Sequence, residues 1–505
     1  MANKKAVLQK PTPDASLPRN AFDRESMRVY HYSLGQLIPA WWEIFTAGSH
    51  VKLNRKIFQR TADLNTASFP MIDTHIQYYA VPLRLLWSLW DDFRLGIKDV
   101  NSTALINASD ETVLGNITMP NRVPYTSYAD ICSFLLTQQA SATPMLTDIF
   151  GNFVQDQTRT LLNLLGYSMP FDTDSQTYEL NLWPILAYNK IYYDHFRNSA
   201  YENNFAKSYN MDYLWARNRN MKIPSADLAN ILQLKYVNYR ADYFTNLYPS
   251  LNYVQLTPAA LNNGVPGTNV GNGLGFPSNV VDAVSGLLDN RDVGIYSYYN
   301  GTALGTSNPN VGTTGMFMTL STLRTAFALD KLMRSSAYTP LHVKDQYEAR
   351  YGIKFPKNNS NESIFVGAYK NDIQIGEVTA TSATNSTDSQ GNAQYTPVGA
   401  IHGKGVGFDD WGKTIEFNCV EDCIIMAIQY STIRSCYRSL GFDSYLTKHL
   451  PEDYFVPEYQ NLGLEPVYGM EFNKTLGTGT VLGYRPRNQR YKLGIDKSYQ
   501  LFADY

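Results

Sequence analysis

The chain has 505 residues and a formal net charge of −2, from 43 Lys+Arg against 45 Asp+Glu. A hydrophobic content of 44% excludes disorder, collagen and small disulfide scaffolds. Only 17% of residues are charged, against roughly 25% in an average soluble protein, and 37 are Tyr, so much of the surface is neutral polar or aromatic and suits either subunit burial or sugar binding.

The N-terminus, MANKKAVLQKPTPDASLPRN, has no apolar run of signal-peptide length, and no stretch approaches the ~18 apolar residues of a membrane span, so no membrane insertion is expected. VKLNRKIF (51–58) reads as one strand with Val51, Leu53 and Ile57 on one face. THIQYYAV (74–81) alternates, with Ile76, Tyr78 and Ala80 opposite His75, Gln77 and Tyr79. In the following VPLRLLWSLWDDF, Leu86, Trp90 and Phe93 share a helical face and Trp87 flanks it. Helices are expected over 127–140 and over 153–166, the second closing at Gly166. Tyr188, Ile191, Tyr192 and His195 make an aromatic helical stripe that would seat on a neighbouring subunit.

ILQLKYV (231–237) and SIFVGAY (363–369) read as strands, STLRTAFALDKLMRSSA (321–337) as a helix, and ATSATNSTDSQGNAQ (380–394) as an exposed loop. CIIMAIQYSTI (423–433) is long and nearly all apolar, which suits a central strand. Residues 251–315 hold 11 Gly, 10 Asn and a single basic residue, Arg291, too little for a core, so this segment is expected to be a surface insertion. Many strands with irregular helices argue for a β-sandwich with long inserted loops. The chain then forms one domain over 1–505, not the three that length divided by about 150 suggests.

Charge is uneven. Residues 1–28 carry six basic groups against three acidic, and 481–505 five against two, so a chain of net −2 with two +3 ends keeps −8 between them. Basic ends on an acidic body point to a polyanion partner, with solvated tails as the bland alternative.

No catalytic motif survives inspection. GAIHGKG (399–405) is one residue short of a phosphate loop and lacks the Ser/Thr after Lys404, and GKGVG and GNGLG have no dinucleotide spacing. There is no His-Glu-x-x-His and no Gly-x-Ser-x-Gly. The pairs Asp91-Asp92 and Asp409-Asp410 read as wetted charges, and His75 and His195, set among aromatics, as hydrogen-bonded structural histidines. Of the cysteines Cys132, Cys419, Cys423 and Cys436, the middle two are spaced C-x3-C without a fourth ligand at finger-like spacing. They are expected to be buried thiols on or near a strand, in a reducing cytoplasm. No cofactor, metal or enzyme activity is expected.

Two stretches carry a family likeness. LGQLIPAWWEIFTAGSHVKLN (34–54) with THIQYYAVPLRLLWSLWDDF (74–93) holds Leu37, Ile38, Pro39, Val81, Pro82, Arg84, Trp87, Trp90 and Phe93. NLWPILAYNKIYYDHFRN (181–198) adds Pro184, Ala187, Tyr188, Lys190, Ile191, Tyr192, Phe196 and Arg197. In this order they resemble the major capsid proteins of Microviridae, small icosahedral single-stranded-DNA phages. EDYFVPEYQNLG (452–463) and GYRPRNQRYK (483–492) resemble later landmarks. Ala47-Gly48-Ser49 departs from the family's Pro-Gly-Asp-like turn, and Tyr-Tyr-Ala replaces its Phe-Phe before Val-Pro, which suggests a divergent lineage.

The resemblance implies an eight-stranded viral jelly roll that assembles into pentamers and a T=1 shell around circular single-stranded DNA. It also implies a small basic DNA-packaging protein, other virion proteins, and a virion assembled in the bacterial cytoplasm. Residues 251–315 fall where gokushovirus-like members carry a surface insertion, a candidate for host-receptor contact. The basic ends are the choice for the inner face: Lys4, Lys5, Lys10, Arg485, Arg487, Arg490 and Lys492, with Tyr484 and Tyr491 stacking on bases. The competing class is a carbohydrate-binding or carbohydrate-active β-sandwich, which predicts a monomer or small oligomer.

Overall fold

The computed structural model describes residues 20–62, 71–95, 123–140, 154–168, 177–198, 201–215, 222–249 (except 224), 342–354, 360–379, 401–457 (except 411–412) and 464–499 (except 478), with isolated short stretches elsewhere. Its main strands are β1 (Ile38–Phe45), β2 (His50–Leu53), β3 (Lys56–Arg60), β4 (Ile72–Pro82), β5 (Tyr125–Ser127), β6 (Glu179–Asn181), β7 (Ile364–Thr379), β8 (Ile401–Asp410), β9 (Ile415–Asn418), β10 (Cys423–Ile433), β11 (Leu464–Tyr468) and β12 (Val481–Pro486). Its main helices are α1 (Trp90–Leu95), α2 (Tyr128–Ala140), α3 (Val154–Leu164), α4 (Trp183–Ile191), α5 (Met211–Trp215), α6 (Ser225–Ile231) and α7 (Val343–Tyr351).

A curled antiparallel sheet in the order β1-β10-β4-β7-β8-β3 occupies the centre. Period-2 alternation divides its side chains between two cores. From β10, Ile424, Met426, Ile428 and Tyr430 face the helices, while Cys423, Ile425 and Ala427 face the other way. From β4, Tyr79 and Val81 join the first set, and Ile76, Tyr78 and Ala80 the second. The helical side holds Ile131 and Leu135 of α2, Leu161 and Leu162 of α3, the whole of α4, and Leu228 and Ile231 of α6. A two-stranded β2/β9 ladder covers part of the opposite side with Val51, Leu53, Ile415 and Phe417. Burial on both faces explains why β10 is apolar nearly throughout.

The expected strands at 74–81, 363–369 and 423–433 and helices at 127–140 and 153–166 are present. Beyond α3, Gly166 takes φ +88° and the Tyr167 N–H reaches back to Leu162 O, so the helix stops where the glycine allows a left-handed turn. GAIHGKG runs into strand β8 and is no phosphate loop.

Four expectations are corrected. Residues 51–58 form two strands in different ladders, broken at Asn54-Arg55, although Val51, Leu53 and Ile57 still pack on one core. Residues 231–237 are the end of α6 and an irregular run, because Leu228, Ile231 and Leu232 bury at helical spacing. In the tryptophan segment α1 begins only at Trp90, and Trp87 lies at the centre of the contact, 5.6 Å from Phe93 and 6.1 Å from Trp183. Within 380–394 the chain pairs Thr384–Thr387 with Ala393–Thr396, a hairpin in place of a plain loop. In the segment 251–315, Gly273–Gly275 and Tyr296–Tyr298 pair in a three-stranded ladder completed by Phe317–Met318. Most of the helix expected over 321–337 lies outside the described residues.

Candidate assembly surfaces and the basic termini

The family-like motifs lie inside the molecule. Leu37 and Ile38 are fully buried, and Pro39 pairs with Ile428 at a register shift in β1, where an edge strand tolerates a missing N–H. The Tyr188 hydroxyl donates to Leu37 O at 2.9 Å and accepts from the Lys235 N–H at 2.9 Å, and burial pushes its phenol well up. Tyr188→Phe strands both backbone groups and should cost about 2 kcal/mol in denaturant unfolding; an unshifted midpoint would show that the hydroxyl is dispensable.

Val81 and Pro82 close β4, and Arg84 beyond them clasps Glu421 through Nε (2.6 Å) and Nη2 (3.2 Å), tying this exit to the turn before β10. Trp90 and Phe93 are half-buried, with Trp90 edge-on to Trp183 at 5.6 Å.

The aromatic stripe on α4 packs on its own sheet and not on a neighbour. Tyr188 and Tyr192 are buried, and His195 lies 4.6 Å from the Tyr79 ring. Tyr192 donates to Glu202 Oε2 at 2.6 Å, and Arg197 donates to Glu202 O at 2.6 Å. Past Tyr192 the helix continues as a π-turn to Phe196, which aims Asp194 inward. Lys190 Nζ is 3.0 Å from Asp194 Oδ1 and donates to Asn361 O at 2.8 Å. Asp194 Oδ2 accepts from the Ser363 N–H (2.7 Å) and Oγ (2.9 Å), so the pair pins the start of β7. His195 Nε2 lies 2.8 Å from Ser363 O, and desolvation of the ring against Tyr79 lowers its pKa although part of the residue stays exposed. His75 stacks on Tyr430 at 5.1 Å.

The C-terminal basic segment is only partly available to a partner. Arg485 is 4% exposed, with Nε 2.7 Å from Glu465 Oε1, Nη1 3.8 Å from Glu471 Oε2, and its guanidinium 4.2 Å from the Tyr243 ring centre. Burial, then Arg490, lowers the Arg485 pKa to about 10. Burial pushes Glu471 up to about 7; Arg485 at 3.8 Å is beyond hydrogen-bond reach, so desolvation wins. Arg490 pairs with Asp443 at 2.9 Å. Arg485 and Arg490 are therefore both engaged by carboxylates of the same chain. Lys492 is exposed and Arg487 half-buried, while Lys4, Lys5 and Lys10 lie outside the described residues.

Residues 20–34 run without regular structure beside the sheet. Tyr30 and Tyr32 tie them down through Gln429 (2.5 Å) and Ser431 (2.7 Å), while Phe22, Met27 and Val29 are each more than 80% exposed. This arm borders an open cleft of about 2970 Å³ lined by Trp41, Phe45, Ile76 and Tyr78. Cys419 and Cys423 are buried in the second core. Among the described residues no group of His, Cys, Asp and Glu could hold a metal ion, and no helix is long and apolar enough to cross a membrane.

A family model described as "Capsid protein (F protein)" matches residues 11–150 and 157–502. "Capsid protein VP1" of Chlamydia phage 1 is 20% identical over 521 residues, covering 91% of this chain and 78% of the relative. "Capsid protein VP1" of Bdellovibrio phage phiMH2K is 21% identical over 504 residues, covering 95% and 81%. The ordered motifs and the matched span agree from arm to C-terminal segment, and the chain belongs to the phage capsid protein (F protein) family, a structural protein and not an enzyme.

Proposed function

We propose that the protein is the subunit of a T=1 icosahedral shell, built through pentamers, that encloses a circular single-stranded DNA genome inside the bacterial host. The family match over most of the chain carries this reading. The curled antiparallel sheet, with the β2/β9 ladder against part of one side, is consistent with a β-sandwich, and we read it as the core of a viral jelly roll. A small basic packaging protein shares the work of neutralising the genome, since this chain is near neutral overall.

With Arg485 and Arg490 engaged, the inner-face charge rests on Lys4, Lys5 and Lys10 of the arm and on Lys492. Changing the three arm lysines to Ala should lower the log–log salt slope of single-stranded-DNA binding by ~0.7 per lysine, about 2 in all. An unchanged slope would remove the arm from the DNA face. Residues 251–315 decorate the exterior and meet the host receptor. Sizing the purified chain tests the shell reading, with pentamers or megadalton particles expected and a persistent monomer against it.

A further inference from the structure

We propose that Cys419 and Cys423 are a modification site, a latent disulfide that a small peroxide closes between the β2/β9 ladder and the central sheet. The inference goes beyond the shell reading and does not depend on it.

Strand alternation brings the two side chains together. Ile415 and Phe417 of β9 pack on the second core, and Cys419, two positions on, is buried in it at 2% exposure. Cys423, Ile425 and Ala427 of β10 enter the same core from the sheet. The thiols meet where one layer turns into the other, and each is the other's side-chain hydrogen-bond partner.

The turn that carries them is held from several sides. The Cys419 N–H donates to Ser49 O at 2.9 Å, and Cys419 O accepts from the Gly48 N–H at 2.7 Å. Cys423 pairs with Phe45 in β1 and with Pro82 in β4. Between them, Asp422 accepts from the Ala47 N–H through Oδ1 (2.9 Å) and from the Leu83 N–H through its carbonyl (3.1 Å), while Arg84 clasps Glu421. Backbone fixed in this way keeps the second thiol beside the first, so closing the bond is an intramolecular step between oriented groups.

The pair is also asymmetric. The hydrogen bond between the thiols holds the Cys419 pKa below its ordinary value and raises that of Cys423, so Cys419 is the nucleophile and Cys423 the resolving thiol. The Cys419 sulfur attacks one oxygen of hydrogen peroxide, the O–O bond breaks, and a sulfenic acid and water form. The Cys423 sulfur then attacks the Cys419 sulfur. The S–O bond breaks, the S–S bond forms, and the Cys423 proton leaves with the hydroxyl as a second water. The two thiols give up the electron pair that peroxide gains. Thiols this buried select a small neutral oxidant, and Val420 between them, 65% exposed, puts their turn at the surface.

The test treats the native full-length chain with a hydrogen peroxide series, then alkylates the remaining thiols in denaturant and maps tryptic peptides by mass. Both cysteines fall in one peptide, Thr414–Arg434, and the exposed Cys436 in the next, Ser435–Arg438. The first peptide should lose two hydrogens and both alkylation sites while the thermal midpoint shows the chain still folded, and dithiothreitol should restore both sites. Cys423→Ala should leave a Cys419 sulfenic acid with no resolving thiol, so dimedone capture at Cys419 rises severalfold over the parent. Cys419→Ala should leave Cys423 uncaptured. Retention of both alkylation sites at peroxide levels that oxidise Cys436 would overturn the proposal. So would a disulfide that joins either cysteine to Cys436 or to a second chain, or one that forms only after the fold is lost. If the alanine variants do not fold, the parent's Thr414–Arg434 peptide decides alone.

Discussion

Asp194→Ala should cost about 4 kcal/mol of folding stability, because it leaves the Lys190 ammonium buried without its counter-charge. Both side chains are less than a tenth exposed, and the carboxylate also holds the Ser363 N–H and hydroxyl. Losing it therefore uncovers a buried cation, a backbone donor and a hydroxyl together. The expected readout is a lower denaturant midpoint with unchanged m, since the unfolded chain exposes the same surface. Lys190→Met in the same chain should restore much of the loss, because an apolar isostere removes the stranded charge. A double variant no more stable than Asp194→Ala would show that the carboxylate acts through Ser363 alone. The consequence reaches the sheet, since Ser363 immediately precedes β7, whose ladders join β4 to β8.

Arg485→Met should cost about 3 kcal/mol, and it should act on stability before it acts on DNA content. The side chain loses its bond to Glu465 and its seat over Tyr243. The loss should depend on pH through Glu471. That carboxyl titrates at about 7 in the fold against an ordinary 4.5, so between these values the native chain holds a proton that the unfolded chain has released. Its contribution is complete below about 4.5 and disappears as pH rises through 7, worth roughly 2 kcal/mol after allowance for residual solvent. Unfolding of the parent, followed from pH 5 to pH 8, should show this decline, and Glu471→Gln should flatten it. A flat parent profile would mean that Glu471 stays ionised beside Arg485. With Glu471 titrating at about 7, the Arg485→Met penalty should be larger at pH 8 than at pH 5, where the neutral carboxyl needs no cation.

Several elements were legible because their signals are local. The apolar run at 423–433 and the alternation at 74–81 need only neighbouring residues to declare a strand. Gly166 closes α3 by its own backbone freedom. Lys190 and Asp194, four apart on a helical segment, had a spacing from which their ion pair could have been read. The break at Asn54-Arg55 was not legible, because it is set by two different partners, β9 for the first half and β8 for the second. The intrachain partners of Arg485, expected on the inner face, were not legible for a similar reason, since Glu465 and Glu471 reach it only through the fold.

By itself the sequence determined the family, the mainly β character and the strands whose periodicity is complete, since ordered motifs and side-chain alternation are properties of the chain. Only the tertiary structure decided which aromatic stripes are core and which basic residues remain free. Both depend on pairs far apart in the chain: Arg84 meets Glu421 across 337 positions, and Tyr188 meets Leu37 across 151. Burial and charge neutralisation belong to such pairs, and a residue's composition or spacing does not carry its partner.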